Sequence, residues 1–280
     1  MVQAAGLRVH YVERGGGPLV VMLHGFPEYW WGWRHQIEPL ASAGLRVAAP
    51  DMRGYNLTER PQGGYDIDTL TEDVRSLVHA LGEQRCYLVG HDWGGVVAWL
   101  VAMRYPELVE RLVILNAPHP ATYLREMRHP NQLARSWYVG MFAIPWLPEW
   151  LLSRGRSAAI ESLFRSSSSR ADTFAEAELI TYRDVWSQPG ALTAALAYYR
   201  EMIRLGRRGL VRRIRPIHAP TLVLWGMKDV ALSPKLLNGL ERWVPRAKLV
   251  QFDDVGHWIQ HEAVDEVNTR IARFLTGNAY

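Results

Sequence analysis

The 280-residue chain is 48% hydrophobic and 21% charged, which excludes a disordered chain and supplies one large core, or one core carrying an insertion. Its single cysteine, Cys86, excludes an internal disulfide and fits a reducing compartment. The net charge of +4 supports at most weak attraction to acidic surfaces: the arginine-rich run RLGRRGLVRRIR (204–215) lacks interleaved aromatic residues and any nucleic-acid motif, reads as a solvated face, and gives no reason to expect a nucleic-acid partner.

In chain order, the start MVQAAGLRVHYVERGGG lacks the basic-then-apolar layout of a secretory signal, and no apolar run reaches the roughly 20 residues of a membrane span. A soluble, cytoplasmic protein is therefore expected. LRVHYVERG reads as an edge strand. PLVVMLHG, RVAAPD, CYLVGHD, LVILNAP, TLVLWGMKD and AKLVQFDD follow as mostly buried strands separated by helical segments. The pattern predicts an α/β fold, a mostly parallel sheet flanked by helices, with Cys86 packed in a strand.

The alternation stops after LVILN. From about Pro118 to Arg215 the sequence is rich in Trp, Tyr, Arg and Leu at helical spacing, with RSSSSRAD (165–172) as a loop. The expected organisation is a core in two parts, 1–117 and 216–280, around a helical lid, 118–215. The lid residues Trp137, Trp146, Trp150 and Trp186 suggest an apolar tunnel, or simply packing between helices.

Carboxyl ends of parallel strands line the crevice where ligands bind. In LVGHDWGGVV, Asp92 sits on a tight turn between strand and helix, in the G-x-D-x-G arrangement that elsewhere holds a nucleophilic serine. Asp229, closing TLVLWGMKD, and His257, in the turn DDVGH, complete the chain order nucleophile, acid, histidine. Asn116 occupies another strand end where an acid can sit, but an amide carries no charge to support an imidazolium. His24 and His91 read as loop-shaping residues, and Asp51 as an anchor for the turn into Arg53-Gly54-Tyr55. His257 and His261 have no H-E-x-x-H glutamate between them and no evident third ligand, so neither a metal nor a cofactor is expected. The backbone N–H groups of Phe26 and Trp93 are the expected oxyanion donors.

An aspartate nucleophile restricts the chemistry. Serine attacking a saturated carbon becomes an ether that the site has no means of cleaving, whereas a carboxylate becomes an ester that a histidine-activated water hydrolyses. Substrates opened by displacement at an sp³ carbon, epoxides or alkyl halides, follow. An epoxide oxygen leaves as an alkoxide and needs a proton, for which tyrosine suits.

HGFPEYWWGWRHQI, DMRGY, GHDWGG, NAPHP, RHPNQL, IPWLPEW, SQPGAL, YYREM, LVLWGMKD and DVGHWIQHEAVDEVN together resemble the soluble epoxide hydrolases of the α/β-hydrolase superfamily. The resemblance spans nearly the whole chain and departs from it at Asn56, where many relatives have Gly. It implies hydrolysis of a small apolar epoxide by water to a vicinal diol without a cofactor, and two lid tyrosines that grip the epoxide oxygen. These are Tyr138, seven residues before Pro145, and Tyr199, directly before Arg200; a register one residue away selects Trp137 or Tyr198 instead. A haloalkane or haloacetate dehalogenase using the same nucleophile is the alternative, with the Trp93 indole as halide donor. Against it, Phe26 stands where haloalkane dehalogenases often carry Asn, and no arginine follows Asp92. A binding protein that retains the fold without turnover is a third reading. The oligomeric state does not follow from the sequence.

Overall fold

A computed structural model of the chain describes residues 1–277. Its main sheet has seven strands in the order β3 (Tyr11–Arg14), β5 (Arg46–Pro50), β4 (Leu19–Leu23), β6 (Cys86–His91), β7 (Val109–Leu115), β8 (Thr221–Gly226) and β9 (Ala247–Phe252). Only β3 runs antiparallel to its neighbour. Helices cover both faces, so the central strands are buried on both sides and read as continuous apolar runs: every residue of β4 and of β8 is buried. Full burial of each such Val or Leu side chain contributes about 1.5–3 kcal/mol.

The expected edge strand LRVHYVERG divides at His10. β2 (Leu7–Val9) pairs with β1 (Val2–Ala4) in a separate hairpin, and only β3 joins the sheet. The physical cause is local. His10 turns its N–H to the Thr58 hydroxyl and its carbonyl to the Asp51 N–H, while its ring meets Asp51 Oδ2 at 2.6 Å, so the backbone leaves the ladder there.

One face of the sheet carries α1 (Arg34–Ser42) and α10 (Val264–Thr276). The other carries α2 (Ile67–Ala80) and α3 (Asp92–Arg104). The helix α3 is apolar all round and buried along most of its length, as a helix lodged between sheet and helices must be. Its own N-terminal turn is the elbow expected from the sequence. There Asp92 has φ +49°, a left-handed conformation costly for a non-glycine residue. Gly94 makes the corner possible: a Cβ at that position would lie 2.2 Å from the Leu23 carbonyl oxygen.

Between β7 and β8 the chain forms six helices: α4 (Pro120–Glu126), α5 (Pro130–Arg135), α6 (Trp137–Ala143), α7 (Leu147–Ser167), α8 (Glu176–Trp186) and α9 (Ala191–Val211). Phe142, Ile160, Phe164, Tyr182, Trp186 and Leu196 from this segment share one buried cluster with α2, α3 and the sheet. RSSSSRAD is a loop only from Ser168, because α7 runs to Ser167, whose hydroxyl bonds back to the Leu163 carbonyl. The arginine-rich run is helical only as far as Val211 and is interrupted at Gly206 (φ 64°, ψ 175°). No helix among the described residues is long and apolar enough to cross a membrane.

Candidate active site

The order β5-β4-β6 makes the carboxyl ends of β4 and β6 a topological switch point, the usual crevice of an open α/β sheet. The loops after these strands meet there. Phe26 N–H donates to Asp92 Oδ1 at 2.9 Å. The Trp93 N–H belongs to the first turn of α3, whose amides lack intrahelical acceptors. A half-buried carboxylate thus stands against the backbone donors expected for an oxyanion.

Two further loops complete the arrangement. His257 Nε2 lies 3.7 Å from Asp92 Oδ2, and His257 Nδ1 donates to Asp229 Oδ2 at 2.7 Å. Asp229 is buried and fully engaged: Oδ1 accepts the N–H groups of Ala231 and Leu232 at 2.8 and 2.9 Å, and Oδ2 also accepts Asn116 Nδ2 at 2.7 Å. Burial opposes its ionisation, but the His257 charge and these hydrogen bonds hold its carboxyl below the usual carboxylate range. Burial likewise disfavours the His257 imidazolium. The Asp229 charge and hydrogen bond, helped by Asp92, outweigh it and raise His257 to about 9. The raised value favours the His257 imidazolium at neutral pH, between the side chains of Asp229 and Asp92.

Above Asp92 lies a cavity of about 480 Å³ with a mostly apolar wall, bounded by α3, α4, α6 and α9. This size suits a small organic ligand. Tyr138 and Tyr199 line it together with Asp92, their rings 6.2 Å apart at 80°. The neighbouring residues point elsewhere. Tyr198 is buried and donates to the Arg53 carbonyl at 2.9 Å, and Trp137 is 67% exposed. Burial pushes the phenols of Tyr138 and Tyr199 well above their ordinary value, and the Asp92 charge adds to it, so both carry their protons across the working range.

Of the two readings of the lid tryptophans, the apolar tunnel is not what they form: none of them lines the cavity. Trp146 is 84% exposed and Trp150 55%, and Trp186 lies beneath the site donating to the Pro27 carbonyl. The wall is instead built from smaller apolar side chains such as Val96, Leu124, Met127, Val139 and Met202. The sequence marks these only as helical apolar positions, whereas tryptophan stands out by type.

His24 and His91 are buried in loops, as expected. His24 Nε2 accepts the Met52 N–H. His91 Nε2 donates to the His257 carbonyl at 2.9 Å, and its Nδ1 lies 3.2 Å from Glu28 Oε2 and 3.1 Å from Gln260 Nε2. Asp51 anchors its turn, accepting from Trp30 N–H and from the amide of Asn56. His261 Nε2 donates to Glu28 Oε1 at 2.7 Å. Burial opposes ionisation of Glu28, yet the His261 and His91 contacts hold its carboxyl below the ordinary range.

Four supporting residues have roles that the sequence does not reveal. Asn116, noted at its strand end only as a poor acid, spans β7 and β8 by donating to Asp229 and accepting the Gly226 N–H. Gln132 of α5 clasps the Asp229 loop through the Ala231 carbonyl and Ser233 N–H. Glu262 accepts the Gly256 N–H at 2.6 Å and the Ser169 N–H at 3.0 Å, tying the turn before His257 to the helical segment. Glu28 gathers His91, His261 and Gln260 behind the same turn. None has a spacing signature, because each acts across more than one element.

The model of a family described as alpha/beta hydrolase fold matches residues 18–264. The chain is 39% identical to the AB hydrolase superfamily protein YfhM of Bacillus subtilis, over 98% of this chain and 96% of that protein. It is 37% identical to epoxide hydrolase 4 of Homo sapiens, covering 98% of this chain and 77% of the human protein. The crystal structure of the Bacillus megaterium epoxide hydrolase in complex with an inhibitor superposes with a TM-score of 0.91 at 33% identity, covering 98% of this chain and 99% of that one.

Proposed function

The chain belongs to the epoxide hydrolases of the alpha/beta hydrolase fold, and from that membership we propose that it converts epoxides to vicinal diols through an alkyl ester on Asp92. The observation that carries the reading is the carboxylate at the elbow, with Oδ1 on the Phe26 N–H and Oδ2 facing His257.

In the first step the Asp92 oxygen not held by Phe26 attacks the less hindered epoxide carbon. The carbon–oxygen bond of the ring breaks, and the departing oxygen takes a proton from Tyr138 or Tyr199. The six helices spanning 118–215 act as a lid, supplying these donors and an apolar wall that keeps bulk water from the ring. In the second step His257, oriented by Asp229, removes a proton from water, which adds to the Asp92 carbonyl carbon. The former Oδ1 becomes the oxyanion between the N–H groups of Phe26 and Trp93. Collapse releases the diol and regenerates the carboxylate, which retains one oxygen from solvent.

His257→Gln removes the base of the second step and leaves the nucleophile. Incubation of this variant with styrene oxide should give an intact mass increased by one substrate, located on Asp92 by peptide mapping. An unmodified Asp92 in a variant that still folds and binds the epoxide defeats the covalent route.

A further inference from the structure

The loop after β8 carries Asp229, the partner of His257, and a helix of the 118–215 segment holds that loop from outside. Part of the loop is fixed by Asp229 itself. Its Oδ1 accepts the N–H groups of Ala231 and Leu232 at 2.8 and 2.9 Å, so the chain turns about its own carboxylate. Other backbone groups of the loop are taken by α5. Gln132 Nε2 donates to the Ala231 carbonyl at 3.0 Å, and Gln132 Oε1 accepts the Ser233 N–H at 2.9 Å. Arg135 Nη1 donates to the Asp229 carbonyl at 2.6 Å.

Gln132 is buried, and its Nε2 also donates to Ser136 Oγ at 3.0 Å, which accepts the Tyr123 hydroxyl of α4 at 3.3 Å. Both N–H groups and the oxygen of the amide are thus engaged. Leucine would fill a similar volume but leave the Ala231 carbonyl and the Ser233 N–H unpaired, which is unfavourable away from water. The contact bears directly on the alignment of His257. Both oxygens of Asp229 belong to one planar group, so displacing the Ala231 and Leu232 amides from Oδ1 turns Oδ2 away from His257 Nδ1, 2.7 Å distant.

Resting on the proposed two-step reaction, we infer that Gln132 and Arg135 are positioning residues of the ester hydrolysis: they brace residues 229–233, and through them the carboxylate on which His257 is aligned. The base of the second step is therefore assembled from two parts of the chain. The sheet domain supplies Asp229 and His257, and the lid supplies the brace. If α5 moves away with the lid, the brace goes with it, so hydrolysis is tied to the closed lid.

Gln132→Leu keeps the volume and removes the brace. Rapid-quench single turnovers with styrene oxide, read by intact mass, give alkylation and hydrolysis separately. The ratio of hydrolysis to alkylation should fall by roughly 10- to 100-fold, the effect of a misplacement of about 1 Å at a reacting group. The His257 Nδ1 proton, a downfield magnetic resonance signal identified by its loss in His257→Gln, should move upfield as its acceptor is displaced. Arg135 is half-buried, so its replacement leaves little unfilled space. Arg135→Ala should lower the ratio by up to roughly tenfold, and Arg135→Lys, which keeps a cationic donor, should recover it. Ile160→Val, buried in α7, loosens the lid without touching the brace and should leave ratio and signal native. A folded Gln132→Leu with either the native ratio or the native signal overturns the inference, as does an equal fall of the ratio in Ile160→Val. Should Gln132→Leu not fold, the Arg135 variants decide: a native ratio in Arg135→Ala overturns the inference, and a loss recovered by Arg135→Lys supports it. Absence of alkyl-enzyme in every variant, His257→Gln included, refutes the proposed reaction instead, and the His257 signal in Gln132→Leu or Arg135→Ala then decides the brace alone.

Discussion

Asp229→Asn separates the two steps proposed for the reaction. In the native site Asp229 accepts His257 Nδ1 at 2.7 Å and leads the influences that raise His257 from 6.5 to about 9 against its burial. At about 1.4 kcal/mol per pH unit, that rise amounts to roughly 3 kcal/mol in favour of the imidazolium. Asparagine supplies no charge, and its amide N–H can donate to Nδ1, leaving the neutral ring with its hydrogen on Nε2. His257 then presents water with a donor where the reaction needs a lone pair. Loss of the carboxylate partner of a catalytic histidine in this way costs on the order of 10⁴ in serine proteases, and ester hydrolysis here should fall by roughly 10³–10⁴. Alkylation of Asp92 does not use His257 as a base and should fall by less than about tenfold. Rapid-quench single turnovers read by intact mass resolve both rates, and the variant should accumulate alkyl-enzyme. Hydrolysis within tenfold of the native rate refutes the assignment of Asp229 as the partner of the base.

Tyr138→Phe and Tyr199→Phe should each slow alkylation, and the double variant should lose at least the 10²–10⁴ typical of general-acid catalysis; native alkylation by the double variant excludes both as donors. Because His257 is raised in the folded chain, its contribution to stability is fully present below pH 6.5 and is lost as pH rises through about 9. Chemical denaturation should therefore show up to roughly 3 kcal/mol less stability from this group at the alkaline end, a component absent from His257→Gln. Glu262→Gln keeps one acceptor where two backbone N–H groups and the Ser169 hydroxyl are served. It should cost about 1–3 kcal/mol of stability and slow ester hydrolysis more than alkylation, so an unchanged denaturation midpoint counts against the latch.

How far the sequence carried depended on whether a residue acts locally. The elbow is readable because GHDWGG encodes its own turn: Gly94 is dictated by its approach to Leu23, and Asp92 follows as the corner residue. Parallel strands were readable because burial on both faces leaves continuous apolar runs. By contrast, the strand LRVHYVERG was divided by the hydrogen bonds of His10 to Asp51 and Thr58, more than 40 positions away. The cavity wall and the clasps of Gln132 and Glu262 also depend on contacts between distant segments. Tryptophan content misled for a related reason. The side chains of Trp146 and Trp150 lie on the outer surface of the helical segment, and periodicity alone does not say which face of a helix will meet a cavity.

The raised His257 poses a question that the proposed sequence of steps resolves. A base must be neutral, yet the resting imidazole is held protonated by two carboxylates. Ring opening changes both conditions together. Esterification abolishes the charge on Asp92, one of the influences that raise His257, and transfer of a phenolic proton to the alkoxide leaves a tyrosinate in an apolar cavity, where an unpaired anion is unfavourable. Passing the His257 proton to that tyrosinate, through water in the cavity, neutralises the phenol and creates the base at the moment when an ester exists for it to hydrolyse. Under this scheme the imidazolium is the proton reserve of the first step, and its deprotonation is coupled to the loss of the Asp92 charge. A pH profile follows: alkylation should decline as pH rises through the His257 value of about 9, whereas the hydrolytic rate of preformed alkyl-enzyme should not decline in that interval. Stopped-flow alkylation and mass-resolved hydrolysis across that range distinguish the coupled scheme from one in which solvent alone restores the tyrosine, where alkylation would stay level.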